Sequence, residues 1–255
     1  MAAGRHVRVT IWNEHVQERR DESVRRIYPE GMHRPIADGV ERELGSGVTV
    51  RIATLDEPEH GLTDAALAET DVLTWWGHVA HDQVADAVVE RVHARVLDGM
   101  GLVVLHSAHY SKIFRRLMGT SCALRWRSVK GGERALVWTV NPGHPIAAGV
   151  PQPIVIAHDE MYGEFFDIPP PDELVFISSY EGGEVFRSGC CFYRGAGRVV
   201  YLSPGDQEFP VYHQPEIQRV IANSVAWCGG PVASNDMPST RQGKSPRDWY
   251  LRERA

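Results

Sequence analysis

Apolar residues in this chain fall into short strand-like runs separated by helical stripes. Val7-Arg8-Val9-Thr10-Ile11-Trp12 is the first run; it is rich in β-branched residues, ends at Asn13-Glu14-His15 and predicts a strand. Ile36, Val40 and Leu44 recur every four residues, which places them on one face of a helix from about Met32 to Leu44, stopped by Gly45-Ser46-Gly47. Val48 to Ala53 predicts a second strand, Leu55 to Gly61 a loop, and Thr63 the cap of a short helix through Ala68. Val72 to Trp76 predicts a buried strand closed by Gly77-His78. Val84, Val88, Val92 and Val96 then share one face of a helix from Gln83 to Gly99. Leu102 to Leu105 predicts a fourth strand, which runs into His106-Ser107-Ala108-His109.

Strands and helices alternate at the spacing of an α/β domain with a parallel sheet. Right-handed crossovers put the C-terminal ends of such strands on one edge, where ligands bind in open α/β sheets. Asn13 and Glu14, His78 and His81, and His106 and His109 follow three separate strands, so they are expected to converge on one crevice. The second half is richer in strands: Arg134 to Val140, Ile154 to Ile156, Glu173 to Ser178, and a hairpin of Gly189 to Tyr193 with Gly197 to Leu202. Pro215 to Cys228 closes the pattern as a helix, with Ile217, Ile221 and Val225 on one face. The composition then shifts to Ser, Asn, Pro and Arg. The expected organisation is one domain over residues 1–230 and a tail over 231–255, whose Trp249-Tyr250-Leu251 packs on its own domain or on a partner subunit. A homo-oligomer is the expected assembly.

Composition narrows the function. Apolar residues make up 43% of the 255, enough to offset chain entropy and exclude bulk disorder. A net charge of −6 gives no basic footprint, so neither nucleic acid nor an anionic membrane is an expected partner. No apolar stretch is long enough to span a bilayer and no signal-peptide core precedes the first strand, so a cytoplasmic location is expected. The four cysteines (Cys122, Cys190, Cys191 and Cys228) form no CxxC pair and read as reduced, buried thiols. There is no phosphate-binding glycine motif of either standard type, so no nucleotide cofactor is expected. Ser107 lacks the flanking glycines of a nucleophile elbow.

What chemistry remains lies in imidazoles, carboxylates and aromatic rings. His78 and His81, like His106 and His109, are three apart after neighbouring strands, a spacing that serves a base, a metal or nothing at all. His158-Asp159-Glu160-Met161-Tyr162-Gly163-Glu164 crowds carboxylates, a phenol and an imidazole into one segment, either an acid–base or metal set or the acidic first turn of a helix. Asp206, Gln207, Glu208 and His213 follow the last strand, and an Asp206–His106 pair would fix an imidazole tautomer. Trp12, Trp75, Trp76, Tyr110 and Tyr162 lie beside these groups; aromatic faces next to polar ones suit a sugar ring.

Several blocks together resemble the ThuA-like family of trehalose utilisation proteins. They are Val9 to Glu14 (VTIWNE), Ile27 to His33 (IYPEGMH), Leu55 to Leu62 (LDEPEHGL), Val72 to Asp82 (VLTWWGHVAHD), His106 to Thr120 (HSAHYSKIFRRLMGT), Asp159 to Pro169 (DEMYGEFFDIP), Glu181 to Cys190 (EGGEVFRSGC) and Tyr201 to His213. The resemblance implies a three-layer, flavodoxin-like α/β fold of the class I glutamine-amidotransferase type, with a mostly parallel sheet. It also implies sugar catabolism, with 3-keto-disaccharides or related oxidised glycosides as substrates. His106-Ser107 stands where such folds carry a nucleophilic cysteine, so glutaminase activity is not expected. Carried over by motif, the site residues are His78, His106, His109, Glu160, Tyr162 and Glu164. Two positions depart from the common pattern: Asp206 stands where Pro-Gly-His is usual, and Gln17 where the first loop usually has His.

The expectation is therefore a sugar-catabolic enzyme with His106, Glu160, Tyr162 and Asp206 as its catalytic groups. Asn13, Glu14, Trp76, His78, His109, Glu164 and His213 would bind the small-molecule sugar substrate. One divalent ion, Zn or Mn, would sit on His106, His109 and Glu160. The alternative is a non-catalytic sugar-binding or regulatory module on the same scaffold.

Overall fold

The computed structural model describes residues 6–230, so the tail and its Trp249-Tyr250-Leu251 lie outside the described residues. In chain order the elements are β1 (Val7–Asn13), α1 (Gln17–Arg20), α2 (Glu22–Ile27), α3 (His33–Leu44), β2 (Val48–Thr54), α4 (Asp64–Ala68), β3 (Val72–Trp76), α5 (Asp86–Leu97), β4 (Gly101–Leu105) and α6 (Lys112–Met118). There follow β5 (Arg125–Arg127), β6 (Glu133–Thr139), β7 (Ile154–Asp159), β8 (Met161–Gly163), β9 (Glu173–Tyr180), β10 (Val185–Arg194), β11 (Gly197–Leu202) and α7 (Pro215–Cys228).

Nine strands form one mixed sheet in the order β2-β1-β3-β4-β11-β10-β9-β6-β7. The first five run parallel, and the chain then turns through the β10–β11 hairpin into an antiparallel half. The expected α/β architecture is present. The parallel strands are buried on both faces, hence their continuous apolar runs: every residue of β3 and β4 is buried. The helices cover them with the predicted stripes. Ile36, Ala37 and Val40 of α3 and Ile217, Val220, Ile221 and Val225 of α7 are buried, as are Val88, Val92 and Val96 of α5. Helices α3 and α7 pack on each other, and α5 packs with α4 and α6. Gly39 permits the close α3–α7 approach, because a Cβ there would stand 2.7 Å from the Cβ of Gln218.

The structure revises several expected boundaries. The valine-striped helix starts at Asp86; the residues before it form a 3-10 turn at His81–Gln83 and an extended Val84-Ala85. The acidic segment after Ile156 is no helix. β7 continues to Asp159, and β8 pairs with β5 in a separate two-stranded ladder. The turn at His106–His109 leads into helix α6, which is capped by Ser111 and ended by Gly119 in the left-handed region at φ 71°. Cys190 and Cys191 lie in β10, and all four thiols are free and buried.

Candidate functional site

The C-terminal ends of β3, β4 and β11 and the β7–β8 link meet around His106. This residue follows β4 directly and opens a 3-10 turn over His106–Tyr110. Its φ of 48° lies in the left-handed region, which side chains rarely adopt outside glycine and which stores strain at sites of function. The ring is 1% exposed. Nδ1 donates to the Ser203 carbonyl at 2.6 Å, so Nε2 is the nitrogen turned to the other groups. Nε2 lies 3.2 Å from the Tyr162 hydroxyl, 3.4 Å from Glu160 and 3.7 Å from Asp206. The Tyr162 ring stacks on the imidazole with centroids 4.5 Å apart.

Electrostatics set the protonation of this cluster. Burial opposes a charge on His106, but hydrogen bonding to Asp206 and Glu160 and the charge of Asp159 outweigh it and raise the imidazole to about 10. His106 is therefore an imidazolium at neutral pH. Burial opposes the charge on Asp206 too, yet the His106 cation holds its carboxyl below the ordinary value. Burial pushes the Tyr162 phenol far up, so it stays protonated. Asp159, whose role the sequence left open among its acidic neighbours, is buried; that burial pushes it up to about 7 against the opposing pull of His106. Its Oδ1 accepts the backbone N–H groups of Glu160 at 3.0 Å and Asp206 at 3.2 Å, which ties the two carboxylate-bearing loops together.

Glu160 and Tyr162 open onto a cleft of about 340 Å³ lined also by His78, His81, Ser107, His109, Tyr110, Ala123, Leu124 and Trp126. Its imidazoles are neutral. Burial and then the His106 charge hold His78 below its usual value. Burial and then His78 push His81 down to about 4. Burial takes His109 to about 3 against its hydrogen bond to Cys122. His109 Nδ1 donates to the Cys122 carbonyl at 2.7 Å, and His78 Nδ1 bonds Gln17 Oε1 at 2.8 Å. Both positions that depart from the family pattern thus face a histidine of the site: Gln17 bonds His78, and Asp206 lies 3.7 Å from His106 Nε2.

The expected convergence is realised by two strand ends, β3 and β4. The end of β1 works behind them. Glu14 points its carboxylate at the turn after β3 and accepts the N–H groups of His78 at 2.8 Å, Val79 at 2.9 Å and Ala80 at 3.0 Å. Asn13 is buried and bonds Glu18 and His33. Trp76 is buried, with its indole N–H on the Gly205 carbonyl at 3.3 Å. None of these three lines the cleft. Glu164 is held by Arg187, at 2.8 Å, and by the N–H groups of Phe166 and Arg187. His213 lies elsewhere: it bonds the Ile27 carbonyl at 2.9 Å and stacks on Tyr28. Of the three residues expected to bind a metal, His106 and Glu160 are brought together, but Asp206 and not His109 completes the set, with its ligand atoms within 4.8 Å of the other two. Trp126 had no sequence signal, since a three-residue strand carries no period.

Fold and site define an α/β protein of the ThuA-like and amidotransferase-like architecture. A ThuA-like protein from Parabacteroides merdae superposes with a TM-score of 0.60 at 13% identity, over 88% of this chain and 90% of that one. One from Bacteroides uniformis gives 0.60 at 17% identity over 88% and 91%. Cytoplasmic Protein STM3548 from Salmonella typhimurium gives 0.53 at 12% over 87% and 98%. No curated protein matches the chain in sequence. The ThuA family model, trehalose utilisation, matches residues 8–228, and the chain belongs to that family. A sugar-related role follows at that level. No helix among the described residues is long and apolar enough to cross a membrane.

Proposed function

We propose that this chain is a sugar-catabolic enzyme that cleaves or isomerises a keto-sugar or oxidised glycoside by acid–base chemistry at His106 and Glu160. One observation carries the reading: Nε2 of the buried His106 lies 3.4 Å from the carboxylate of Glu160, which opens onto the cleft. Such a pair presents an acid and a base to the same ligand at neutral pH. Glu160 removes the proton from the carbon beside the keto group. The electron pair runs onto the carbonyl oxygen, where the His106 imidazolium and the Tyr162 hydroxyl stabilise it. In cleavage, that pair returns to form a carbon–carbon double bond, the glycosidic C–O bond breaks, and the departing oxygen takes the imidazolium proton. In isomerisation the proton returns to a neighbouring atom instead. Asp206 orients His106 and sustains its charge. A cytoplasmic setting suits the four unpaired thiols.

With the Nε2 proton lost, the same donor set would instead fit one divalent cation, a state alternative to the imidazolium. Ligands about 2.1 Å from a tetrahedral ion stand about 3.4 Å apart, and Nε2 lies 3.4 and 3.7 Å from the carboxylates of Glu160 and Asp206. One imidazole and two carboxylates suit Zn²⁺ or Mn²⁺, which when bound would polarise the substrate carbonyl. Elemental analysis of the purified protein, and its melting temperature on titration with either ion, test this.

For the acid–base pair, turnover of a 3-keto-glycoside is expected to fall about 100-fold or more in His106→Ala and in Glu160→Gln, with circular dichroism unchanged. Unchanged turnover in both variants would overturn the assignment. Saturable sugar binding by the wild type without product would identify the non-catalytic module instead.

A further inference from the structure

The cleft extends beyond the acid–base pair, and its outer end has a composition of its own. Trp12, Trp75 and Trp76 are buried in the sheet, whereas Trp126 is 66% exposed and lines the cleft. Its exposed ring therefore faces a cleft that also holds polar groups, where an apolar face can stack on a ligand. Its placement is set by pairing. In the β5–β8 ladder Trp126 stands directly opposite Tyr162, and opposed residues of an antiparallel pair project from the same face, with Cβ atoms about 5 Å apart. Tyr162 is the ring stacked on His106. Trp126 is thus the next aromatic group outward from the chemistry. Tyr110, 46% exposed, also lines the cleft and meets His81 and His109 edge-on.

Polar character selects the ligand further. Between the aromatic rings lie His78, His81 and His109, all neutral, which can exchange hydrogen bonds with hydroxyls. Among the described residues no Lys or Arg lines the cleft, and its one carboxylate is Glu160. Arg115 lies 4.9 Å from the Tyr110 ring centroid but is not a lining residue. Arg127, next to Trp126, is engaged by Glu133 and Glu184. A phosphate at the outer end would find no Lys or Arg among the lining residues. An uncharged ring with apolar C–H faces and peripheral hydroxyls matches all three features.

We propose that Trp126 is the stacking platform of a subsite at the outer end of the cleft, which holds the sugar ring remote from the acid–base pair and selects it as an uncharged ring. This rests on the proposed function only for the class of ligand; the test reads binding, not turnover. Trp126 acts on ring recognition and leaves the acid–base pair untouched.

Calorimetric titration of the full chain with glucose, trehalose and trehalose 6-phosphate decides it. Trehalose is expected to bind about tenfold more tightly than glucose, and trehalose 6-phosphate more weakly than trehalose. Trp126→Ala should weaken trehalose about five- to tenfold, the worth of one aromatic contact, and leave glucose unchanged. Trp126→Phe should restore most of the loss. Equal affinities for glucose and trehalose in the wild type, an equal loss for both in Trp126→Ala, or preference for the phosphate ester would overturn the subsite. So would an altered oligomeric state in Trp126→Ala with sugar affinity kept, which would assign the ring to a contact between chains. Binding of none of the sugars would remove subsite and sugar ligand together. Intact trehalose binding beside unimpaired turnover in Glu160→Gln would leave the subsite standing and reject the chemistry.

Discussion

Glu14 offers a sharp test of how the site is held. Its carboxylate does not line the cleft; it accepts three backbone N–H groups, from His78, Val79 and Ala80, at 2.8 to 3.0 Å. Glu14→Ala leaves those donors without a partner. A hydrogen bond to a charged group contributes about 1.5 kcal/mol or more, and water reaching the vacated space recovers part of it, so a net loss of about 3 kcal/mol is expected. In a domain of this size each kcal/mol moves the melting temperature by about 2–4 °C, giving a drop of about 6–12 °C. The turn released by the change carries His78 and leads to His81, so sugar affinity should fall in the variant even where it remains folded. Glu14→Gln should land between the two, since its amide N–H₂ must face at least one N–H donor. Thermal melts followed by circular dichroism, with ligand titration well below the melt, measure both effects. A Glu14→Ala variant that melted within about 2 °C of the wild type and bound sugar equally well would refute the assignment of this carboxylate as the brace of the site.

Two further expectations concern the same framework. Asp159 is raised from 3.8 to about 7 by burial, so between those values the folded chain keeps a proton that the unfolded chain has lost. Wild-type stability therefore falls by up to a few kcal/mol as pH rises through that window and levels off above it. Asp159→Asn removes this slope, and urea unfolding in the presence of a chelator at pH values at the two ends of the window should show its stability gaining on the wild type; a constant difference would contradict the buried, proton-holding carboxyl. Gly205 has φ 139°, and a Cβ there would lie 2.0 Å from the Tyr212 hydroxyl oxygen. Gly205→Ala should displace Asp206 from His106 and cut turnover about tenfold or more, and full activity in a folded variant would show that the Asp206 position is unimportant.

Much of the parallel half was legible because its period is strong. β1 to β4 are apolar runs between turn residues, and α3, α5 and α7 carry stripes of four-residue spacing. Helices α1 and α2 and strands β5 and β8 lack such a signal. Helices α1 and α2, with sequences QERR and ESVRRI, are polar and bury only Glu18 and Val24. β5 and β8 have three residues each and exist through their pairing with one another. Within the site, His106, Glu160, Tyr162 and Asp206 could be named because each follows a strand that ends on the same edge. Asn13, Glu14 and Trp76 follow the same logic yet point inward. A strand end must also hold its loops, and a carboxylate that binds backbone N–H groups reads in sequence like one that faces a ligand. Glu164 is of this kind, engaged by Arg187. His213 was misplaced for another reason: the loop after β11 runs on past the edge and carries it to Tyr28.

His106 and Asp206 are delivered by the parallel half of the sheet, whereas Glu160 follows β7 of the antiparallel half and Tyr162 sits in β8 just beyond it. The contact between them is thus a joint between two differently woven parts of one fabric, fastened by the bond from the Asp206 N–H to Asp159. Slippage of a fraction of an ångström along that joint would uncouple acid from base while every strand kept its ladder. On the proposed chemistry, turnover of a keto-glycoside should therefore fall on warming at temperatures where circular dichroism still shows the folded chain.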